Sequence, residues 1–180
     1  MPELPEVETL VAQLSRVLPG RRISEVQIRN ESLLETPRPE LQDQVVGKRI
    51  VQIARRGKYI RMDLSRGFSL WFHLGMTGQL LYSADPRTQN AYTHFTAAFE
   101  NSPNRFYFRD VRRFGGIFFT NGVAHLLPEK IRLLGPDPFE IQEKAFVDLL
   151  KTQGRLPAHI QLLQTLLTLL AQVVIFVLLH

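Results

Sequence analysis

Apolar residues recur at helical spacing near the start of the chain, at Val7, Leu10, Val11, Leu14, Val17 and Leu18, until Pro19-Gly20 stops the run. Positions three and four apart share one face of a helix, so the spacing predicts an amphipathic helix with a single buried stripe. Pro5 suits the first helical position, where the N–H it lacks would have no partner, and Glu6 and Glu8 complement the positive end of the helix dipole. The period then shortens. Residues 22–29 alternate polar with apolar (Ile23, Val26, Ile28) and predict a strand. Residues 30–39 read as loop, with Pro37 and Pro39, and 41–46 is too short to assign. From Lys48 onward a series of strands is predicted. The first is 49–56, with Ile50, Val51, Ile53 and Ala54; Gly57 turns the chain, and 58–64 returns with Tyr59, Ile60 and Met62. The segment 68–74 is mostly apolar, as in a strand buried on both faces. Further strands are predicted at 78–83, 93–100, 105–109 and 116–120, with 84–90 as loop. Leu133-Leu134-Gly135-Pro136-Asp137-Pro138 breaks the chain, and 141–152 reads as a helix carrying Phe146, Leu149 and Leu150. Short strands at close spacing, with turn signals between them, predict a mainly β fold with flanking helices (α+β), a sandwich or barrel of about seven or eight strands.

The pattern changes at Leu156. Segment 156–180 has no Asp, Glu, Lys or Arg, and within 160–179 only Gln161, Gln164, Thr165, Thr168 and Gln172 interrupt the apolar run. That length can span a bilayer, and Lys151 and Arg155 flank it, but three Gln and two Thr weigh against a span. A buried helix is equally compatible by length. The abrupt loss of charge motivates another expectation: that 156–180 is translated out of frame. One back-translation of Ala171-Gln172-Val173-Val174-Ile175-Phe176 reads Thr-Gly-Gly-Asn-Ile in a shifted frame.

Composition narrows the function classes. A chain of 180 residues is by default one domain with room for an appendage, and is long enough to bury a core. The 22 Lys and Arg exceed the 17 Asp and Glu by five, and many of the arginines fall between Arg49 and Arg113. A local cationic excess leans toward a polyanionic partner. Cysteine is absent, which excludes disulfides, cysteine zinc sites and thiol catalysis. No secretory leader pattern opens the chain, so a cytoplasmic, reducing setting is expected.

Four stretches carry candidate chemistry. In Met1-Pro2-Glu3-Leu4-Pro5-Glu6-Val7-Glu8, removal of Met1 would leave a secondary amine at the terminus. An α-amino group has a pKa of about 7.7–8.0, so part of it is neutral near pH 7. Such an amine can form a Schiff base with a sugar carbon, and Glu3 beside it could move the proton. A plain helix start explains Pro5 onward and leaves Pro2-Glu3 without a reason. Arg55-Arg56-Gly57-Lys58 sets three cations around a glycine turn, suited to phosphate oxygens or simply an exposed hairpin. His73-Leu74-Gly75-Met76-Thr77-Gly78 is a glycine-bracketed turn whose Met76 could wedge between bases or fold back on the core. Asp110-Val111-Arg112-Arg113-Phe114-Gly115-Gly116 puts two arginines and a ring on one loop, suited to stacking and phosphate contact or to a plain strand corner. His94 alone reads as an ordinary strand histidine.

Taken together and in this order, these motifs, with Leu134-Gly135-Pro136-Asp137-Pro138, resemble the formamidopyrimidine-DNA glycosylase family from Pro2 to roughly Lys151. Leu4 looks like this branch rather than the sister endonuclease VIII branch. The resemblance implies a two-layer antiparallel β-sandwich with an N-terminal helix, with 1–137 as the catalytic domain and 138–155 as the start of an inter-domain helix. It implies a DNA glycosylase and abasic-site lyase acting on oxidised purines (8-oxoguanine, formamidopyrimidines) in damaged double-stranded DNA. Pro2 would attack the anomeric carbon, Glu3 would do acid/base work, Glu6 would hold the N-terminal segment, and Lys58 would contact phosphate and assist. Met76, Arg112 and Phe114 would fill the gap left by the flipped base; His94 and Arg113 would contact phosphate. The family also has a helix–two-turns–helix element and a four-cysteine zinc finger, and neither motif is found after Lys151 here. The expectation is therefore a C-terminally truncated, monomeric member with no metal or other cofactor, weak or lost activity and a non-native tail. A non-catalytic DNA-binding remnant is the alternative, and a membrane-tethered domain ranks below it.

Overall fold

The computed structural model describes residues 2–34, 38–120, 129–137, 139, 141–142 and 144–145. Met1–Leu133 forms one compact unit and Leu134–His180 a second. Helix α1 (Leu4–Ser15) opens the first unit and buries Val7, Val11 and Leu14. It starts one residue before Pro5, which therefore sits second in the helix, still where no N–H partner is needed. The helix ends before Pro19, and Gly20 turns the chain with φ +86°.

Eight strands follow among the described residues. They are β1 (Ile23–Ile28), β2 (Ile50–Arg56), β3 (Tyr59–Leu64), β4 (Phe68–His73), β5 (Gly78–Ser83), β6 (Thr93–Phe99), β7 (Arg105–Asp110) and β8 (Gly116–Thr120). They form two four-stranded sheets, β1-β6-β7-β5 and β2-β3-β4-β8, and neighbouring strands in both run antiparallel. Two sheets with a common core decide for the sandwich over the barrel.

Alternation builds that core. Ile60, Met62 and Leu64 on β3 turn inward while Tyr59, Arg61 and Asp63 take the other face. Phe72 on β4 is fully buried, and its ring meets Phe95, Phe106 and Phe108 of the opposite sheet at centroid distances of 5.7, 5.3 and 6.0 Å. The next residue back, Trp71, is also buried but belongs to the other face. There it stacks on Phe118 at 5.6 Å and donates its Nε1–H to Thr120 Oγ1 at 3.1 Å. β4 is thus covered on both faces, as its continuous apolar run requires.

Two stretches read as loop hold helical structure. Glu31–Leu33 is a short 3-10 turn in which Asn30 Oδ1 accepts the Ser32 N–H at 3.0 Å. Helix α2 (Arg38–Val45) begins inside the segment that its prolines mark as loop; Pro39 lies in the first turn, where a proline costs no hydrogen bond. Val45 is buried and Gln42 Nε2 donates to Val26 O at 3.0 Å, fixing α2 beside β1. Residues Pro86–Thr88 form another 3-10 turn, capped by Asp85. A short helix α3 (Glu129–Arg132) follows β8 in the chain.

In the second unit Asp137 organises a turn: its Oδ1 accepts the Phe139 N–H at 3.0 Å and its carbonyl accepts the Ile141 N–H at 2.9 Å. Most of the helix expected at 141–152, and the whole tail 156–180, lie outside the described residues. Among the described residues no helix is long and apolar enough to cross a membrane. Because Phe72 touches rings on two facing strands, Phe72→Ala should cost about 3–5 kcal/mol. The urea unfolding midpoint checks this.

Candidate active site

The first residues are held from three sides. Glu3 caps α1 in an extended conformation, and its N–H donates to Glu6 Oε2 at 2.8 Å. Its carboxylate meets Lys58 Nζ at 2.6 Å. Lys58 is brought there by the β2–β3 hairpin, which turns at Gly57 with φ +56°. The same hairpin is fastened to α1 by Arg55, whose Nε donates to Glu8 Oε2 and whose Nη1 donates to Gly57 O at 3.2 Å. The Arg55 side chain is only 6% exposed, so this pair is the anchoring one. The Glu3–Lys58 pair is far more open, and such pairs are worth about 0–1 kcal/mol. Its importance lies in placing a carboxylate and an ammonium next to Pro2.

Pro2 faces a cleft of about 460 Å³ whose walls include Glu6, Leu10, Leu74, Met76 and Thr77. The turn after β4 therefore shares a cavity with the chain terminus. That turn also lies against the β7–β8 loop with no side chain between the backbones. A Cβ on Gly75 (φ +58°) would sit 2.5 Å from the Phe114 carbonyl carbon, and one on Gly115 would sit 2.6 Å from the His73 oxygen. Met76 (41% exposed) and Phe114 (55% exposed) project from these apposed loops, with the Arg112 guanidinium 4.8 Å over the Phe114 ring. Arg113 is exposed and adopts the left-handed region at φ +59°, which is uncommon for a residue with a Cβ.

His94 stands apart from this surface. It is 3% exposed, and its Nε2 lies 2.7 Å from the Asp110 carbonyl. A carbonyl can only accept, so Nε2 carries the proton. The β6–β7 register shifts between Thr93 and Phe95, the kind of bulge that re-aims a side chain. The resemblance implies a phosphate contact for His94; here its ring is buried against the Asp110 carbonyl at the end of β7.

Sequence reasoning brought Pro2, Glu3, Glu6, Lys58, Met76, His94, Arg112, Arg113 and Phe114 to attention; it read Glu8 only as a helix-dipole residue and Arg55 only as one of three cations at a turn, and gave no role to Thr77 or Asp110. Asp110 carried a legible signal, as an acidic residue closing a strand just before the two arginines. The Glu8–Arg55 pairing crosses 47 positions and left none. Among the described residues no group of three or more His, Cys, Asp or Glu could hold a metal ion.

The model of the formamidopyrimidine-DNA glycosylase N-terminal domain matches residues 1–117, from the terminus into β8. The chain belongs to the formamidopyrimidine-DNA glycosylase family. It is 38% identical over 144 residues to the formamidopyrimidine-DNA glycosylase of Desulforamulus reducens, covering 78% of this chain and 51% of that one. The match to the Salinispora arenicola protein of the same name is 35% over 173 residues, covering 93% and 60%. The chain thus spans about half the length of the curated relatives it matches. Among solved structures, the Lactococcus lactis glycosylase in complex with DNA containing N7-benzyl-Fapy-dG superposes with a TM-score of 0.72 at 30% identity, over 83% of this chain and 55% of that one. The same enzyme bound non-covalently to DNA containing an abasic site gives 0.72 at 28% identity, over 84% and 58%. These likenesses agree with the two-sheet architecture. Within this family member, Gly75→Ala should push the two loops apart. A drop of at least about 1 kcal/mol in unfolding free energy is expected from the positive φ and the backbone clash together, read by denaturant titration.

Proposed function

We propose that residues 1–137 form the catalytic domain of a DNA glycosylase and abasic-site lyase that removes oxidised purines, 8-oxoguanine and formamidopyrimidines, from double-stranded DNA. The observation that carries this reading is that Pro2 and Met76 line one cleft, while the residue next to Pro2 in the chain, Glu3, pairs with Lys58. With Met1 removed, the Pro2 nitrogen attacks C1′ of the damaged nucleotide. The N–C1′ bond forms, the C1′–base bond breaks, and the base leaves with a proton. The ring C1′–O4′ bond then opens as Glu3, in its acid form, protonates O4′, leaving an iminium at C1′. Loss of a C2′ proton expels the 3′ phosphate and nicks the strand; a second elimination releases the 5′ phosphate. Lys58 stabilises phosphate charge beside the reacting sugar, and Arg113 contacts phosphate further along. Extruding a base costs a few kcal/mol, and Met76, Arg112 and Phe114 are shaped to fill the space it leaves. The chemistry requires no small-molecule cofactor. A DNA substrate and a chain without cysteine suit a monomer working in the cytoplasm beside the chromosome.

Borohydride trapping on a duplex carrying an abasic site or 8-oxoguanine tests the reading. At low salt a covalent adduct should form, and Pro2→Gly or retention of Met1 should abolish it. No adduct even at high protein concentration would refute the assignment of Pro2. Glu3→Gln should lower base removal by about 10²–10⁴-fold, the usual range for a lost acid/base group. Its unfolding free energy should move by less than about 1 kcal/mol, because the Lys58 pair is open to solvent. Arg113→Ala should reduce the slope of log affinity against log salt by about one.

A further inference from the structure

We infer that Asp110 is a positioning residue whose buried carboxylate latches the Met76 turn to the Arg112–Phe114 loop, so that the two act as one preformed wedge. Its use against DNA rests on the function proposed above; the latch itself does not.

Asp110 ends β7, pairs in register with Gly78 and is fully buried. Its Oδ1 accepts the Thr77 hydroxyl at 2.5 Å and the Arg112 N–H at 3.2 Å, and its Oδ2 accepts the Gly115 N–H at 2.8 Å. Thr77 Oγ1, having donated its proton to Asp110, also accepts from the Arg112 N–H at 3.1 Å. Asp110's own N–H donates to Tyr92 O at 3.0 Å, and its carbonyl accepts from His94 Nε2 at 2.7 Å. One side chain thus ties the turn between β4 and β5 to both ends of the loop between β7 and β8. The carboxylate accepts from a hydroxyl and two backbone amides. Such charge-assisted bonds are roughly twice as strong as neutral ones.

The latch explains a physical oddity. Met76 and Phe114 are apolar yet stand exposed on short loops. Their backbones are held from below and pressed together at Gly75 and Gly115, so neither loop is free to fold its side chain back onto the core. A wedge fixed in advance loses little conformational entropy when it enters a duplex, and that saving appears as tighter engagement of the open state.

Two measurements on the full chain test this. The first needs no activity: amide hydrogen exchange in wild type, Asp110→Asn and Thr77→Val, under conditions where circular dichroism shows all three folded. Thr77→Val removes the hydroxyl that bonds Asp110 Oδ1 and the Arg112 N–H and touches no partner of Gly115 directly. If the loops are one unit, it should nonetheless speed exchange of Gly115, in the other loop, by about tenfold, the factor carried by one hydrogen bond of ordinary strength. Exchange that rises only within residues 75–78, or not at all, overturns the latch. The second is borohydride trapping on an abasic site within a fully paired duplex and on one placed in an unpaired bulge. Asp110→Asn should slow trapping at the paired site by about tenfold or more and leave the bulged site within about twofold, because only the first requires the wedge to hold a gap open. Equal slowing on both substrates would mean general damage to the site, and no slowing on either would remove the role; each result overturns the positioning. If wild type traps on neither substrate, the proposed function fails while the exchange measurement still decides the latch.

Discussion

A chain terminus is ordinarily among the least ordered parts of a domain, and the candidate chemistry here depends on tying one down. The tie is the buried Arg55 guanidinium, which reaches across from β2 to the Glu8 carboxylate on α1 and to the Gly57 carbonyl in its own hairpin. That pair ties α1 to the β2–β3 hairpin close to the first helical turn. Glu6 can then reach back to the Glu3 N–H, and Glu3 can meet Lys58. Removing the Glu8 carboxylate would take an ion-pair partner from a buried guanidinium, a costlier loss than that of a fully exposed pair. The weak, open Glu3–Lys58 contact is therefore positioned by a stronger one that does no chemistry.

The sandwich supplies the second half of the arrangement. The β4–β5 turn, which lines the cleft with Pro2, and the β7–β8 loop grow from strands packed through the Phe72 cluster, so their roots are fixed by the core. The loops need only short-range devices after that: glycines where backbones touch, and Asp110 where polar groups would otherwise be buried without partners. His94, turned inward by a bulge, adds one more bond to the same backbone. This is a division between rigid scaffold and exposed side chains, and it lets Met76, Arg112 and Phe114 be presented rather than packed.

Net charge was a weaker guide than placement. Several cations of this basic chain do structural work: Arg55 is buried, Arg21 lies over the Tyr82 ring, Lys48 lies over Phe68, and Arg22 pairs with Glu100. The excess of five says that a polyanion is a reasonable partner. Only the fold separates the cations that brace the sandwich from Lys58, which meets Glu3, and from Arg112 and Arg113 on the exposed β7–β8 loop.

The sequence by itself determined the local elements. The helical stripe of α1 and the strand periods are short-range consequences of side chains meeting water on one face and neighbours on the other. It also pointed to Pro2 and Glu3, which a helix start leaves without a reason, and, through the order of the motifs together, to Lys58, Met76 and Arg112–Phe114. It missed α2, where prolines in a first helical turn look the same as prolines in a loop; strand spacing alone left sandwich and barrel open, because closure depends on which edge strands pair, and the motif resemblance chose the sandwich that the two sheets form. What only the tertiary structure decided are contacts between distant positions. Glu8 meets Arg55, Thr77 meets Asp110, and His94 turns in rather than out. Such pairings depend on how sheets stack and where a register slips by one residue, and neither property is written in any local window of the chain.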